Sequence, residues 1–374
     1  MTISTETKPI ALFHTEVCEE AIQRVTETLR SGWLNEGAIT LEFEKQLDAQ
    51  LGVKNAVAVN SGTSALQLAL AVAGIGQGDE VIIPAQTFVA TGLVVLAQGA
   101  TPVFADIDPS DLNISVSSIA EKITDRTKAI IPVHWGGYPC DMDGINTLAQ
   151  KHGLTVIEDA AHALGAKYKG NLVGSLSRFA CFSFQSIKHL TTGDGGAVSC
   201  LTEADAHEAK KRRWFGIDRS KINRSIEGDR GIDIDVVGYK FHMNNVIASL
   251  GLGQLSDFPR RQVIRQSVAA RYREGLANVT GLTLMNHAPD RESAYWLFDL
   301  HVERREDFCR KLSEHSIASS VVDLGIDRNS VFGEVREENV GQRQCDKTHV
   351  AIPIHEGLSE TDVDRIIETI RAGW

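Results

Sequence analysis

The chain has 374 residues and a mass of 40.8 kDa, a length that predicts two domains or one large domain with an appendage. Hydrophobic residues make up 43% and charged residues 23%, which excludes the disordered and collagen-like classes. With 38 basic and 49 acidic side chains the formal net charge is −11, which argues against nucleic acid as a partner.

The sequence predicts neither membrane attachment nor a metal site. No apolar run reaches the length of about 18 residues that a membrane helix needs, and the opening residues lack a secretion signal. The 6 cysteines show no spacing typical of zinc sites. We therefore expect a cytoplasmic protein that binds no metal.

The first part of the chain is predicted to be α/β. Short β-rich runs alternate with helical stretches, and the runs lie at 56–59, 80–84, 102–107, 129–134, 154–159, 179–184 and 197–201. This alternation is typical of βαβ units in a mostly parallel sheet with helices on both faces. We predict a large domain over residues 31–255.

A different pattern follows Leu255, with a long charged helix, a few strand-like pieces and two amphipathic helices. The last helix is predicted to begin at Ser359 with a capping box to Asp362, and its apolar stripe consists of Val363, Ile366, Ile367 and Ile370. We predict a smaller α+β domain over residues 256–374, with the N-terminal segment 1–30 packing with it or near it.

The first candidate site segment is Asn60–Ser64, between a predicted strand and an apolar helix. Gly62 lets the backbone approach an anion, and the free amides of the helix N-terminus supply partial positive charge. This predicts a phosphate site. The alternative is that Ser61 or Thr63 only caps the helix.

The second segment, Glu158–His162, ends another predicted strand. Asp159 there can hold a cation such as a protonated pyridine nitrogen. The alternatives are that Asp159 caps a following helix and that His162 is an ordinary hydrogen-bonded histidine.

The third segment runs from Phe182 to Lys188 and continues into a glycine-rich turn at 193–196. A lysine enclosed after a strand has its ammonium form disfavoured, as an imine-forming nucleophile requires. Most lysines are instead solvated charges. The fourth segment is Pro84–Thr91, where Phe88 can stack on a planar ring or belong to the core.

Together the four segments supply the groups that bind pyridoxal 5′-phosphate (PLP). The chain resembles the DegT/DnrJ-type nucleotide-sugar aminotransferases, which have the aspartate aminotransferase fold (fold type I). The resemblance runs nearly end to end, through the motifs NSGTSAL, PAQTFVAT, PVFADID, PVHWGGYPCDMD, EDAAHALGA, FSFQSIK…GDGGA, GYKFHMNNVIASLGLGQL and AIPIHEGLS. It implies a large PLP-binding domain with a mostly parallel mixed sheet and a smaller C-terminal domain.

The resemblance also implies roles for individual residues. Lys188 condenses with the cofactor aldehyde, Asp159 pairs with the pyridinium nitrogen, His162 lies beside the ring hydroxyl and Phe88 covers the ring face. Three residues of the same chain bind the phosphate. Family members are homodimers with active sites at the interface, so Lys240 of the neighbouring chain also reaches the phosphate. The three residues are Gly62, Thr63 and Ser183.

Two positions depart from the usual family pattern. Many members have Asn where Lys240 stands, and the usual GEGG is GDGG here, with Asp194 as its carboxylate. Substrate contacts are expected from segments that flank the cofactor motifs. The residues are Trp33, Asn35, His189 and Arg213, although Trp33 can equally be a packing residue and Arg213 a solvated charge.

The expected reaction is transfer of an amino group from an amino acid, L-glutamate by resemblance, to a nucleotide-linked 4-keto- or 3-keto-6-deoxy sugar. Three alternatives remain at this point. The chain could be a PLP-dependent sugar dehydratase, although that branch has histidine in place of Lys188. It could also be an amino-cyclitol transaminase, or a non-catalytic relative that binds ligand without turnover.

Overall fold

The computed structural model describes residues 8–221 and 232–374. Its α-helices are α1 (Glu19–Ser31), α2 (Ala38–Leu51), α3 (Gly62–Val72), α4 (Ala90–Ala97), α5 (Val116–Lys122), α6 (Met142–His152), α7 (Glu203–Arg212), α8 (Asn245–Leu276), α9 (Arg305–Glu314), α10 (Val340–Thr348) and α11 (Glu360–Arg371). Its β-strands are β1 (Val57–Val59), β2 (Glu80–Pro84), β3 (Thr101–Ala105), β4 (Thr127–Ile130), β5 (Thr155–Asp159), β6 (Lys167–Tyr168), β7 (Asn171–Leu172), β8 (Phe179–Ser183), β9 (Gly196–Cys200), β10 (Leu282–Leu284), β11 (Arg291–Glu292), β12 (Phe298–Val302) and β13 (His349–Ile352).

A seven-stranded sheet forms the centre of the larger part of the chain, in the order β1-β9-β8-β5-β4-β2-β3. Strands β3, β2, β4, β5 and β8 run parallel, whereas β9 is antiparallel to both of its neighbours. Strands β2 and β9 are buried along their whole length, and burial on both faces explains why their sequences are mainly apolar and do not alternate. The predicted α/β class with a mostly parallel mixed sheet is confirmed.

The register of this sheet brings the candidate segments to one edge. Val59 at the end of β1 and Ser183 at the end of β8 both pair with Gly196, the first residue of β9. Asp159 pairs with Cys181 on the adjacent strand. The carboxyl ends of β1, β5 and β8 therefore meet where ligands bind in open α/β sheets.

A second, three-stranded antiparallel sheet of β10, β12 and β13 lies in the C-terminal part. Helices α8, α9 and α11 contribute to the core beside it. The predicted capping box of α11 is present, with the Ser359 hydroxyl accepting from the amide of Asp362, and the predicted stripe of α11 is buried. A long helix and two amphipathic ones around a few strands give the predicted α+β character of this part.

The expected boundary between residues 255 and 256 lies inside α8, which continues without interruption to Leu276. Ala248 and Leu255 in its first half pack into the core beneath the large sheet. Val268 and Tyr272 in its second half pack into the core of the smaller sheet. One helix therefore belongs to both cores.

The N-terminal residues and the C-terminal part contact each other directly. The amide of Ile10 donates to the carbonyl oxygen of Ser316 at 2.8 Å, and the carbonyl of Ile10 accepts from the amide of Ala318 at 2.9 Å. Helix α1 packs along α8. The described residues before α2 therefore contact both the C-terminal part and α8.

The C-terminal part also reaches the large sheet. Phe332 packs edge-on against Phe104 of β3, with a centroid distance of 5.6 Å. Gly92 of α4 makes room for this ring, because a Cβ atom there would lie 2.6 Å from Phe332 Cζ. Across residues 8–221 and 232–374, no helix has both the length and the apolar character needed to cross a membrane.

Candidate active site

A cavity of about 520 Å³ opens at the edge of the large sheet where β1, β5 and β8 end. Its wall comes from both parts of the chain, because Trp296, Ser320, Val322 and Asp323 line it together with the motifs of the large sheet. The sequence-predicted residues among its lining are Gly62, Thr63, Phe88, Asp159, His162, Ser183, Lys188 and Asp194.

One end of the cavity is formed by the N-terminus of α3. The Ser61 hydroxyl accepts a hydrogen bond from the amide of Ser64 at 3.0 Å and so caps the helix. Gly62 and Thr63 are then the first two helical residues, whose amides have no acceptor within the helix. The two alternatives are therefore compatible, because the Ser61 hydroxyl caps the helix while the amides of Gly62 and Thr63 stay available to an anion.

Gly62 also permits a close approach to β8. A Cβ atom at this position would lie 2.8 Å from Ser183 Cβ, which is too short for two carbon atoms. Only glycine therefore lets the start of α3 and the end of β8 form one concave surface. Backbone amides, a hydroxyl and the positive end of the helix dipole meet there.

Asp159 is oriented by two hydrogen bonds. Its Oδ2 accepts from the Thr91 hydroxyl at 2.7 Å, and its Oδ1 accepts from the amide of Ala161 at 3.2 Å. Burial raises the pKa of this carboxyl group, although the two hydrogen bonds oppose that shift. Turns lead from Asp159 to β6, so Asp159 does not cap a following helix.

Lys188 lies in the loop that follows β8, deep within the protein. Enclosure lowers the pKa of its amine from the ordinary lysine value to about 7, while the charges of Asp159 and Asp323 act in the opposite direction. Its Nζ lies 3.5 Å from the centre of the Trp296 ring. At neutral pH the amine is therefore present both as the free base and as the ammonium ion.

His162 lies beside Lys188 and is buried. Burial, followed by the charge of Lys188, holds the pKa of this imidazole well below its usual range, so the ring is neutral. Its Nδ1 is buried and has no hydrogen-bond partner among the described residues. Phe88 is 56% exposed and lines the cavity, which excludes the alternative that it is a core residue.

Five further expected site residues lie outside the cavity lining. Lys240 is exposed, and its carbonyl oxygen accepts from Asn60 Nδ2 at 3.4 Å. Trp33 is 80% exposed, and the Asn35 side chain accepts from His242 Nε2 at 3.1 Å. The remaining two, His189 and Arg213, are buried.

The two buried residues are occupied by contacts within the protein. His189 Nε2 lies 2.9 Å from the carbonyl oxygen of Ala294. Arg213 lies between Glu36 and Glu44, with Nη2 2.8 Å from Glu36 Oε1. The guanidinium group of Arg213 is therefore enclosed and ion-paired away from the cavity lining, and its expected substrate contact stays a prediction.

Sequence reasoning missed three residues that shape the site. Thr91 lies in the PAQTFVAT segment, and its position three residues after Phe88 is the signal that could have found it. Trp296 and Asp323 come from the C-terminal part, more than 100 residues after Lys188, and no motif in the sequence marks them.

The residues of this cavity fit PLP. Because Gly62 has no side chain, a space remains beside two amides of the helix N-terminus and the Ser183 hydroxyl. These donors suit a phosphate group. The Asp159 carboxyl group suits a ring nitrogen, and the unpartnered Nδ1 shows that His162 has unused hydrogen-bonding capacity. The amine of Lys188 has a pKa of about 7, so it is suited to condense with an aldehyde.

Comparison with curated proteins gives two relatives that align over almost their whole length. The spore coat polysaccharide biosynthesis protein SpsC of Bacillus subtilis is 38% identical over 369 residues, covering 94% of each chain. The GDP-perosamine synthase of Caulobacter vibrioides is 35% identical over 358 residues, covering 92% of this chain and 93% of the relative.

The fold matches a solved sugar aminotransferase, CalS13 from Micromonospora echinospora. The two share 34% identity and a TM-score of 0.93, over 98% of this chain and 100% of CalS13. A family model described as the DegT/DnrJ/EryC1/StrS aminotransferase family matches residues 15–371. The chain therefore belongs to the DegT/DnrJ/EryC1/StrS aminotransferase family and is a transaminase.

Proposed function

We propose that this transaminase transfers an amino group from an amino acid, L-glutamate, to C4 or C3 of a nucleotide-linked keto-6-deoxy sugar, in amino-sugar biosynthesis. The observation that carries the transfer chemistry is the meeting of Lys188, Asp159 and the start of α3 around one cavity. The sugar acceptor is supported by the relatives, which include a GDP-perosamine synthase and a spore coat polysaccharide biosynthesis protein.

The cofactor is PLP, which when bound supplies an aldehyde for the amino group and a ring that withdraws electrons from the reacting carbon. Nζ of Lys188 would accept the proton from the α-carbon of the amino donor and pass it to the cofactor carbon that carried the aldehyde, and in the second half-reaction it would move a proton in the opposite direction. A pKa of about 7 suits this exchange, because proton transfer is most effective when the pKa lies near the working pH.

The other cavity residues hold and orient the cofactor. The carboxylate of Asp159 keeps a proton on the ring nitrogen, and its hydrogen bond from Thr91 fixes its direction. His162 contacts the ring hydroxyl and Phe88 covers the ring. The amides of Gly62 and Thr63 and the hydroxyl of Ser183 bind the phosphate.

A second copy of the chain completes the phosphate site. The cavity lining contains three carboxylates and one lysine, Lys188. The carboxylates are those of Asp159, Asp194 and Asp323. A phosphate needs additional positive charge in these surroundings. The exposed side chain of Lys240 is suited to supply it to a neighbouring chain, so we propose a homodimer with the site at the interface.

The experiment that tests the proposal incubates the PLP-loaded protein with L-glutamate and a panel of nucleotide-linked keto sugars. Mass spectrometry and NMR then identify the aminated carbon. Formation of an amino sugar and 2-oxoglutarate with ping-pong kinetics is expected. A product that lacks a hydroxyl and gains no amine would establish the dehydratase, and amination of a keto-cyclitol alone would establish the amino-cyclitol transaminase.

A further inference from the structure

Trp296 contacts two titratable side chains of the cavity. Nζ of Lys188 lies 3.5 Å from the centre of the Trp296 ring. The imidazole of His162 stacks on the same indole with a centroid distance of 3.7 Å and an interplanar angle of 18°. The indole is buried and reaches the cavity from the segment between β11 and β12.

The indole is fixed in this position by its own contacts. Its Nε1–H donates a hydrogen bond to the carbonyl oxygen of Ile187 at 3.0 Å. Phe13 stacks against the indole at a centroid distance of 5.4 Å. Because Ile187 immediately precedes Lys188, the hydrogen bond joins the indole to the loop that carries the amine.

We propose that Trp296 is a positioning residue for Lys188, whose indole face holds the amine at the cavity wall and stabilises its ammonium form. The proposal rests on the proposed role of Lys188 in transamination. A lysine ammonium within about 6 Å of an aromatic ring centre is attracted by the ring quadrupole. The stacked His162 is neutral, so it adds no competing positive charge at the ring.

The indole acts together with the charged groups that face Lys188 from other elements. Asp159 at the end of β5 and Asp323 in the C-terminal part both favour the ammonium ion, whereas enclosure disfavours it. Asp194 lines the same cavity, and the buried His189 has its pKa held well below the usual range. Without the indole face, the balance shifts towards the free amine.

The test measures the ionisation of Lys188 directly. The full chain, freed of PLP by treatment with hydroxylamine followed by dialysis, carries lysine labelled with carbon-13 at the ε position, and NMR follows each signal with pH. The Lys188 signal is the one that Lys188→Ala removes. Trp296→Leu is expected to lower the titration midpoint by about half to one pKa unit, and Trp296→Phe by less.

The direction of the shift separates this role from a packing role. If Trp296 only filled space, Trp296→Leu would admit water and raise the midpoint towards that of an ordinary lysine. A raised or unchanged midpoint in the Leu variant therefore overturns the proposal. Trp374→Leu, which changes an indole beyond α11, is the matched control and is expected to leave the midpoint unchanged.

A second measurement covers the case in which Trp296→Leu does not fold. Growth of the parent chain on a fluorinated tryptophan keeps the shape and the Nε1–H of the indole but weakens its quadrupole. A lower midpoint for Lys188 is expected, and an unchanged one contradicts the proposal. Because neither measurement uses PLP or a sugar, the outcome does not depend on whether the proposed transamination is correct.

Discussion

The hydroxyl of Thr91 lies 2.7 Å from Oδ2 of Asp159 and donates a hydrogen bond to it across the space between α4 and β5. Thr91 Oγ1 also lies 2.7 Å from Oγ1 of Thr87, so the carboxyl group, the first turn of α4 and the preceding loop form one network. The hydrogen bond from Thr91 opposes the rise in the pKa of Asp159 that burial causes.

Replacement of this hydroxyl is expected to weaken catalysis. Thr91→Val keeps the shape but removes the donor, so the pKa of Asp159 rises further. We expect kcat/KM for the amino donor to fall about ten- to a hundredfold, because a hydrogen bond to a charged group contributes about 1.5–3 kcal/mol. Thr91→Ser retains the donor and should stay near the parent. Equal kcat/KM for Thr91→Val and the parent would contradict this role.

Removal of the amine is expected to abolish turnover. Lys188→Ala should lower kcat by about a thousandfold or more, because both proton transfer and covalent attachment of PLP depend on Nζ. Borohydride should fix PLP to the parent chain and not to the variant, as mass spectrometry can show. Lys54→Ala, at an exposed residue that pairs with Asp48, is the control. Full turnover of Lys188→Ala would disprove the assignment.

The lowered pKa of Lys188 also predicts how stability varies with pH. Unfolding restores the ordinary lysine value of 10.5, so between about pH 7 and 10.5 the unfolded chain binds a proton that the folded chain lacks. The free energy of unfolding contributed by this group therefore rises across that window, and it is lowest below pH 7. In urea unfolding of the PLP-free chain, Lys188→Met should lack this rise. Parallel curves for the two proteins would contradict it.

The contact between Gly62 and Ser183 predicts the effect of one added methyl group. Gly62→Ala is expected to weaken PLP binding about tenfold or more and to cost about 1–3 kcal/mol of stability, because the methyl group overlaps Ser183 Cβ. Equilibrium dialysis and thermal unfolding would measure both. Gly76→Ala, where the nearest atom lies at 3.9 Å, is the control. Unchanged PLP affinity would show that this contact does not shape the phosphate site.

Arg213 is expected to affect stability more than substrate binding. Arg213→Met leaves the carboxylates of Glu36 and Glu44 without their buried partner, at a cost of about 3–5 kcal/mol in the free energy of unfolding. Arg219→Ala, at a more exposed partner of Glu36, should cost at most about 1 kcal/mol. If Arg213→Met instead raised only the KM for the sugar, the substrate contact expected from the sequence would be correct.

The sequence was sufficient to predict the strands and the edge at which they end, because apolar runs followed by Gly, Ser, Asp or Lys are local features. It also placed Asp159 and Lys188 at one site. Trp296 and Asp323 could not be found in this way, since a cavity wall formed by distant segments depends on tertiary packing. The burial of Arg213 could not be predicted either, because the charged run KKRRW has the local pattern of a solvent-exposed helix.

The extent of α8 shows a similar limit. Gly251 and Gly253 resemble the residues that end helices, yet the helix continues through both. A Cβ atom on Gly251 would lie 2.7 Å from Phe43 Cζ, and one on Gly253 would overlap the backbone of Ala21. These glycines permit close packing of α1 and α2 on α8, which is a tertiary requirement that local sequence does not display.

The continuous α8 also limits how the enzyme can open. Because one helix is embedded in both cores, bending between the two parts has to occur within α8, where Pro259 removes one backbone hydrogen bond. The segment that contains Ser320, Val322 and Asp323 lines the cavity and lies outside the helices, so its sequence can vary with substrate size without any change to α8. Exchange of that segment between relatives offers a route to altered acceptor preference without disturbing the scaffold.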